Sequence, residues 1–216
     1  MILTFSNLEL QLLPEKAVFS AKEGVLFIAD THFGKTSTFR KAGIPVPEGS
    51  LEHDLLRIDS LIDKYSVSQV FFLGDLFHSD LNQEWDAFSQ WRKSHPSIDM
   101  TLVVGNHDIL SHSDYAQASL HIEQEPFFWN DIELRHHPKE DISTIKKPVL
   151  CGHVHPGVRV TSSGKFNETL PCFLLRGMQL TLPAFGSFTG LGSIHPRTQD
   201  RIFILGEVEV FEIGGL

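Results

Sequence analysis

The chain predicts an α/β fold in which two mixed β-sheets pack as a sandwich flanked by helices, and three observations carry that prediction. Short apolar runs of buried-strand character end abruptly in Asp, Asn or His: Leu26-Phe27-Ile28-Ala29-Asp30-Thr31-His32, Phe71-Phe72-Leu73-Gly74-Asp75, Val103-Val104-Gly105-Asn106-His107-Asp108 and Val149-Leu150-Cys151-Gly152-His153-Val154-His155. In the first half these runs alternate with helical patterns, and in the second half strand patterns follow one another almost without helix. The 216 residues, 41% hydrophobic and 21% charged, have an ordinary globular composition, so a single domain over 1–216 is expected.

In chain order, Asn7 to Leu13 alternates Leu8, Leu10 and Leu12 with polar residues, the period of an edge strand. A turn at Pro14-Glu15 and a run at Ala17 to Phe19 make the opening a hairpin. Val25 to Ala29 is apolar on both faces, as a central strand covered by helices on each side requires. From Phe33 to Gly49 the Gly43-Ile44-Pro45-Val46-Pro47 segment argues against continuous helix. That stretch is either a rim whose Lys35, Arg40 and Lys41 dock a substrate phosphate or a solvated loop.

Leu51, Leu55, Ile58, Ile62 and Tyr65 mark an amphipathic helix from Ser50 to Tyr65, with Ser50 as N-cap and Glu52 and Asp54 in its first turn. Gln69 to Leu73 is a buried strand, and Asn82 to Lys93 a helix whose Trp85, Phe88 and Trp91 face the core. Met100 to Val104 is the next strand, followed by a short helix through Ser111 to Leu120. Phe127 to Arg135, Pro148 to Cys151, Val158 to Thr161, Thr169 to Leu175, Gln179 to Leu182 and Arg201 to Phe211 complete the strands. Phe127-Phe128-Trp129 and Phe185 to Phe188 are either core or an exposed patch for a partner.

Composition excludes some functions. A formal net charge of −9 argues against a broad basic surface for nucleic acid, though not against a local positive site. Cys151 and Cys172 sit in apolar, strand-like contexts and read as buried free thiols, which fits a reducing compartment. With no membrane-length apolar run and no signal peptide in the first 25 residues, a cytoplasmic protein without membrane contact is expected.

The chemistry lies in the run endings, which would gather at one edge of a sheet. Asp30 and His32, where a strand stops, can turn toward one ion, and His153 and His155 repeat the arrangement. Asp75 can bridge two ions, Asn106 offers an amide oxygen, and either His136 or His137 supplies a further imidazole. Two divalent ions less two carboxylates leave a positive site suited to a phosphate oxyanion. Such a pair lowers the pKa of a bridging water from about 16 toward about 7 for in-line attack. His107 would stand beside the ions and stabilise or protonate the leaving oxygen. Asp108 either orients His107 or serves structure, and His78 either supports a ligand or contacts substrate. His53, His95, His112 and His121 lack companion ligands.

These residues resemble the calcineurin-like metallophosphoesterase superfamily, whose DxH, GDxxH, GNHD, H and GHxH pattern is met by Asp30/His32, Gly74/Asp75/His78, Gly105 to Asp108, His136 and Gly152/His153/His155. The resemblance implies a metallophosphoesterase fold and one metal on Asp30, His32, Asp75 and His155. It places the other on Asp75, Asn106, His136 and His153, favouring His136 over His137. Ala29 to Lys35, Phe39 to Gly49 and Leu182 to Gly190 look like the PdeM-type, ligase-associated bacterial group, with Thr31-His32-Phe33 where that group commonly has Leu-His-Leu. That implies an endonuclease-like phosphodiesterase acting on DNA in a presumed repair system with a DNA ligase, a helicase and an exonuclease-like protein. Manganese suits the oxygen and imidazole donors, and iron or zinc also fit. The rival readings are a phosphomonoesterase or nucleotide phosphodiesterase, with Lys35, Arg40 and Arg176 as phosphate cations, and a non-enzymatic scaffold.

Overall fold

The structure is a computed structural model describing residues 1–41, 43, 49–162 and 166–213. Most of the Gly43 to Pro47 segment, and with it part of the Phe39 to Gly49 resemblance, lies outside these residues.

The first sheet has seven strands in sequential order: β1 (Ile2–Phe5), β2 (Leu8–Leu13), β3 (Ala17–Ser20), β4 (Val25–Ile28), β5 (Gln69–Leu73), β6 (Asp99–Val103) and β7 (His121–Glu123). β1 to β4 form an antiparallel meander, and β4 to β7 run parallel. Parallel neighbours need crossovers, supplied by α1 (Lys35–Lys41) with α2 (Ser50–Tyr65), by α3 (Gln83–Lys93) and by α4 (His112–Gln117). The second sheet contains β8 (Phe127–Trp129), β9 (Ile132–Leu134), β10 (Val149–Cys151), β11 (Pro156–Ser162), β12 (Phe166–Arg176), β13 (Gln179–Thr181), β14 (Gly192–Ser193), β15 (Arg201–Leu205) and β16 (Val210–Ile213).

Two apolar layers hold the sandwich. Leu10, Leu12, Phe27, Phe71, Leu73 and Val103 of the first sheet meet Leu134, Leu150, Phe173, Leu180 and Phe203 of the second. Leu26, Ile28, Val70, Phe72 and Leu102, on the opposite face of the first sheet, bury Leu55, Ile58 and Ile62 of α2 with Trp85 and Phe88 of α3. Strands between two such layers have no polar face, which is why β4, β5 and β6 read as continuous apolar runs. A helix layer covers β4 on one side only, and on the other it meets the second sheet. The outer face of that sheet carries Val158, Cys172, Leu174 and Ile202 in one cluster and Ile145, Val149 and Cys151 in another, without an α-helix among the described residues.

Several local expectations are corrected. Ser50 begins α2 rather than capping it; Gly49, with φ of 82°, is the cap residue. Lys35–Lys41 is helical, because the helix-breaking residues start only at Gly43. Phe127 to Arg135 is two strands folded at Asn130, whose φ is 50°, and Arg201 to Phe211 is likewise a hairpin. β1 and β7 were not foreseen; β1, with Leu3 and Phe5 buried, pairs with the expected edge strand β2. Of the two aromatic stretches, Phe185 is fully buried while Phe128 is 52% exposed and Phe188 39%. Both cysteines are free and buried.

Candidate metal centre

The run endings do not share one sheet edge. Asp30 and His32 follow β4, Asp75 follows β5 and Asn106 follows β6, so three adjacent parallel strands deliver them to one end of the first sheet. His136 follows β9 while His153 and His155 follow β10, parallel neighbours in the second sheet. The carboxyl ends of the two sheets face each other, the position at which parallel sheets generally bind ligands.

The donors fall into two groups meeting at Asp75. In the first, the Nε2 atoms of His32 and His155 are 3.2 Å apart, His155 Nε2 is 3.3 Å from Asp30 Oδ1, and His32 Nε2 is 3.8 Å from Asp75 Oδ2. In the second, His136 Nε2 lies 3.0 Å from Asn106 Oδ1, 3.0 Å from His153 Nδ1 and 3.4 Å from Asp75 Oδ1. Asp75 thus turns one oxygen to each group. Two cis donors on one ion with bonds of about 2.1 Å stand roughly 3 Å apart, which is the spacing these atoms have.

Proton bookkeeping points the same way. His136 Nδ1 meets the Leu73 carbonyl at 3.1 Å and His155 Nδ1 the Gly190 carbonyl at 3.2 Å. A carbonyl only accepts, so each ring carries its proton there and turns the Nε2 lone pair into the group. The His136 lone pair then faces Asn106 and Asp75, which are acceptors themselves. Burial first, then the charges of His155, Lys35, His78 and His107, push His32 down to about 2, so it is neutral at pH 7. Burial also lowers His78 and His153. Asp30 is fully buried, and its Oδ1 has no hydrogen-bond partner among the described residues. Convergent lone pairs around an unpartnered carboxylate oxygen are the chemistry of a cation site.

The backbone is bent to produce this arrangement. Asp30, His32, Asp75, His153 and His155 all have φ between 48° and 70°, the left-handed region that costs non-glycine residues of order 1–3 kcal/mol each. Gly74 has φ of 77°, and a Cβ there would enter the His136 ring; one at Gly152 would strike Asp30 Oδ2. Gly74→Ala should therefore cost at least about 2 kcal/mol in left-handed strain and ring displacement. Denaturant midpoints with and without added metal check this, and a midpoint unchanged within error would count against the tight packing.

Asp108 accepts from four backbone amides: Asp75 and Gly105 at 2.8 Å on Oδ2, and Leu76 at 2.8 Å and Phe77 at 3.2 Å on Oδ1. Its contacts tie the β6 ending to the β5 ending and leave His107 to other partners. Burial pushes its carboxyl up to about 7, while the amides favour the charged form. The His107 ring lies 3.9 Å, centroid to centroid, from His78 and 5.7 Å from His32. His78 Nδ1 stands 3.2 Å from His32 Nδ1, behind a donor of the first group.

Lys35 follows the first ending closely enough for its charge to depress His32 and His78. Arg40 is directed toward Glu84 of α3, 3.9 Å away. Arg176 is bound bidentately by Asp200 at 2.9 and 2.6 Å and lines a separate hollow of about 440 Å³ on the second sheet. His53, His95, His112 and His121 stand outside every donor group among the described residues. Thr31, at the departure from Leu-His-Leu, donates its hydroxyl to the Leu76 carbonyl at 2.8 Å and so joins the two endings.

Some contributors were not foreseen. Asp54, expected in the first turn of α2 as a dipole partner, is buried; it accepts from Arg57 at 2.8 Å and from the Ser187 amide at 3.0 Å. Arg57 also donates to the Phe185 carbonyl at 3.1 Å and stacks on its ring at 4.0 Å. These bonds pin the Leu182 to Gly190 segment whose Gly190 carbonyl orients His155. The resemblance at that segment was the available signal, but spacing alone does not reveal a partner 133 residues away.

A family model described as calcineurin-like phosphoesterase matches residues 24–168. The crystal structure of Pseudomonas putida nuclease MPE superposes with a TM-score of 0.82 at 29% identity, covering 98% of this chain and 99% of that one. A protein of unknown function from Aquifex aeolicus gives a TM-score of only 0.42 at 19% identity over 61% of this chain and 78% of that one. No curated protein matches the chain. No helix among the described residues is long and apolar enough to cross a membrane. The matched residues span β4 through most of the β11–β12 hairpin and contain every donor of both groups, and the chain belongs to the calcineurin-like phosphoesterase family of metal-dependent hydrolases.

Proposed function

We propose that this chain, acting as a single domain, is a two-metal phosphodiesterase that cleaves DNA. The observation that carries the reading is Asp75, whose two oxygens face two separate donor groups. Asp30, His32, Asp75 and His155 would hold one divalent cation, and Asp75, Asn106, His136 and His153 the other. Manganese is favoured, with iron or zinc as alternatives, because every donor is oxygen or imidazole; Cys151, nearby in sequence, instead points its sulfur at Leu180 and Thr181. When bound, the two cations supply positive charge for the phosphate oxygens and activate the attacking water.

The protein's own groups divide the remaining work. Asp108 fixes the β5 and β6 endings so that Asp75 and Asn106 keep their spacing. His107, its ring tilted against His78, donates a proton to the departing oxygen, and its amide holds Asp75 Oδ1 at 2.9 Å. His78 braces His32 from behind and lines the substrate side with His107. Lys35 adds positive charge next to the first group, and Arg40 stands further out as a contact for a long substrate.

The name of the nuclease that matches over nearly the full length supports a nucleic-acid diester as substrate, and the ligase-associated resemblance favours DNA. Arg176 is committed to Asp200, which removes one of the cations named for a monoester's terminal phosphate. The ligase-associated resemblance supports a place in DNA repair beside a DNA ligase, a helicase and an exonuclease-like protein, and the two free, buried thiols support a location in the reducing cytoplasm. The test is hydrolysis by metal-stripped protein reloaded with Mn²⁺ on single-stranded DNA, gapped duplex, bis(4-nitrophenyl) phosphate and 4-nitrophenyl phosphate. DNA cleavage and diester turnover well above monoester turnover are expected; monoester turnover with DNA untouched would overturn the nuclease reading.

A further inference from the structure

We infer that His137 is an additional donor to the second cation position, presented in its ligating tautomer by Glu125. The inference rests on the two-cation reading and adds to it an outer donor pair, for which His136 and His137 need not be alternatives.

Glu125 ends at the pair of histidines. Its Oε2 accepts the backbone amides of His136 and His137, both at 2.9 Å, and its Oε1 meets His137 Nδ1 at 2.8 Å. A carboxylate only accepts, so His137 carries its proton on Nδ1 and leaves the Nε2 lone pair available. This is the carboxylate–histidine pairing that fixes a ligand's tautomer and raises its basicity.

The ring stands beside the second group. His137 lies 4.5 Å from His153 and 4.6 Å from His136, centroid to centroid, and one nitrogen of each of the three lies within 4.8 Å of the others. The two neighbours differ in exposure. His136 is fully buried and anchored by the Leu73 carbonyl, whereas the His137 side chain is 40% exposed. His137 therefore approaches the second group from the solvent side. In the same gesture, Glu125 sets the direction in which His136 leaves β9.

The test is Mn²⁺ titration of the full chain by calorimetry, paired with the visible absorption of the Co²⁺-loaded protein. Wild type should bind two equivalents. His137→Ala and His137→Asn should weaken one equivalent by roughly 10- to 100-fold, leave the other unchanged and alter the Co²⁺ bands. Glu125→Gln should weaken the same equivalent, because a Gln amide no longer enforces the tautomer. Wild-type affinities for both equivalents, with an unchanged Co²⁺ spectrum in both His137 variants, would overturn the inference while leaving the two-cation reading intact. A single equivalent in the wild type would overturn both.

Discussion

Asp75→Asn should fold, bind at most one divalent cation tightly and lose Mn²⁺-dependent diester hydrolysis by about 10³-fold or more. The fold should survive because asparagine tolerates the left-handed conformation found here, φ of 52°, and its amide oxygen can still accept the His107 amide. The chemistry should not survive. The new NH₂ would replace the oxygen that faces His32 Nε2, and the negative charge shared between the two groups would be gone. Charge stabilisation by a bound cation is worth several kcal/mol, and each 1.36 kcal/mol is a factor of ten in rate. Circular dichroism, elemental metal analysis and diester turnover measured on one preparation decide the matter. Near-normal turnover in a folded variant would remove the bridging role.

For His107→Ala the expected outcome is full metal content with turnover of DNA reduced by about 10²- to 10⁴-fold, the range for loss of a proton-transfer group. No donor group among the described residues includes His107, and alanine keeps the amide that bonds to Asp75. The loss should depend on the leaving group. A 4-nitrophenolate departs without protonation, so bis(4-nitrophenyl) phosphate should be affected much less than a nucleoside ester. Equal losses on both substrates would assign His107 to orientation of the phosphate, and lost metal would make it a ligand.

Much of the centre was legible in the chain because a β-strand forces its own signature. A strand buried between two layers must be apolar throughout, and its end is where polar groups can first appear, so Asp30, Asp75, Asn106 and His153 stood out at the ends of such runs. The helices over Ser50 to Tyr65 and Asn82 to Lys93 were legible for a related reason, since one face of each had to match a flat apolar sheet. Turn positions were harder. Phe127 to Arg135 has strand composition throughout, and only the left-handed Asn130 divides it.

Residue type and local spacing determined which side chains have metal-ligating chemistry, which strands carry them, and that Asp75 and Asn106 end neighbouring runs. Tertiary structure alone decided that two sheets, not one, supply the donors, that Asp108 spends its carboxylate on four amides of two loops, and that Arg176 is held by Asp200. It alone brought Glu125 to His137, and Asp54 with Arg57 to the loop that orients His155. The physical reason is range: period and propensity act over a few residues, whereas a hydrogen bond joins whatever the packed layers bring within about 3 Å.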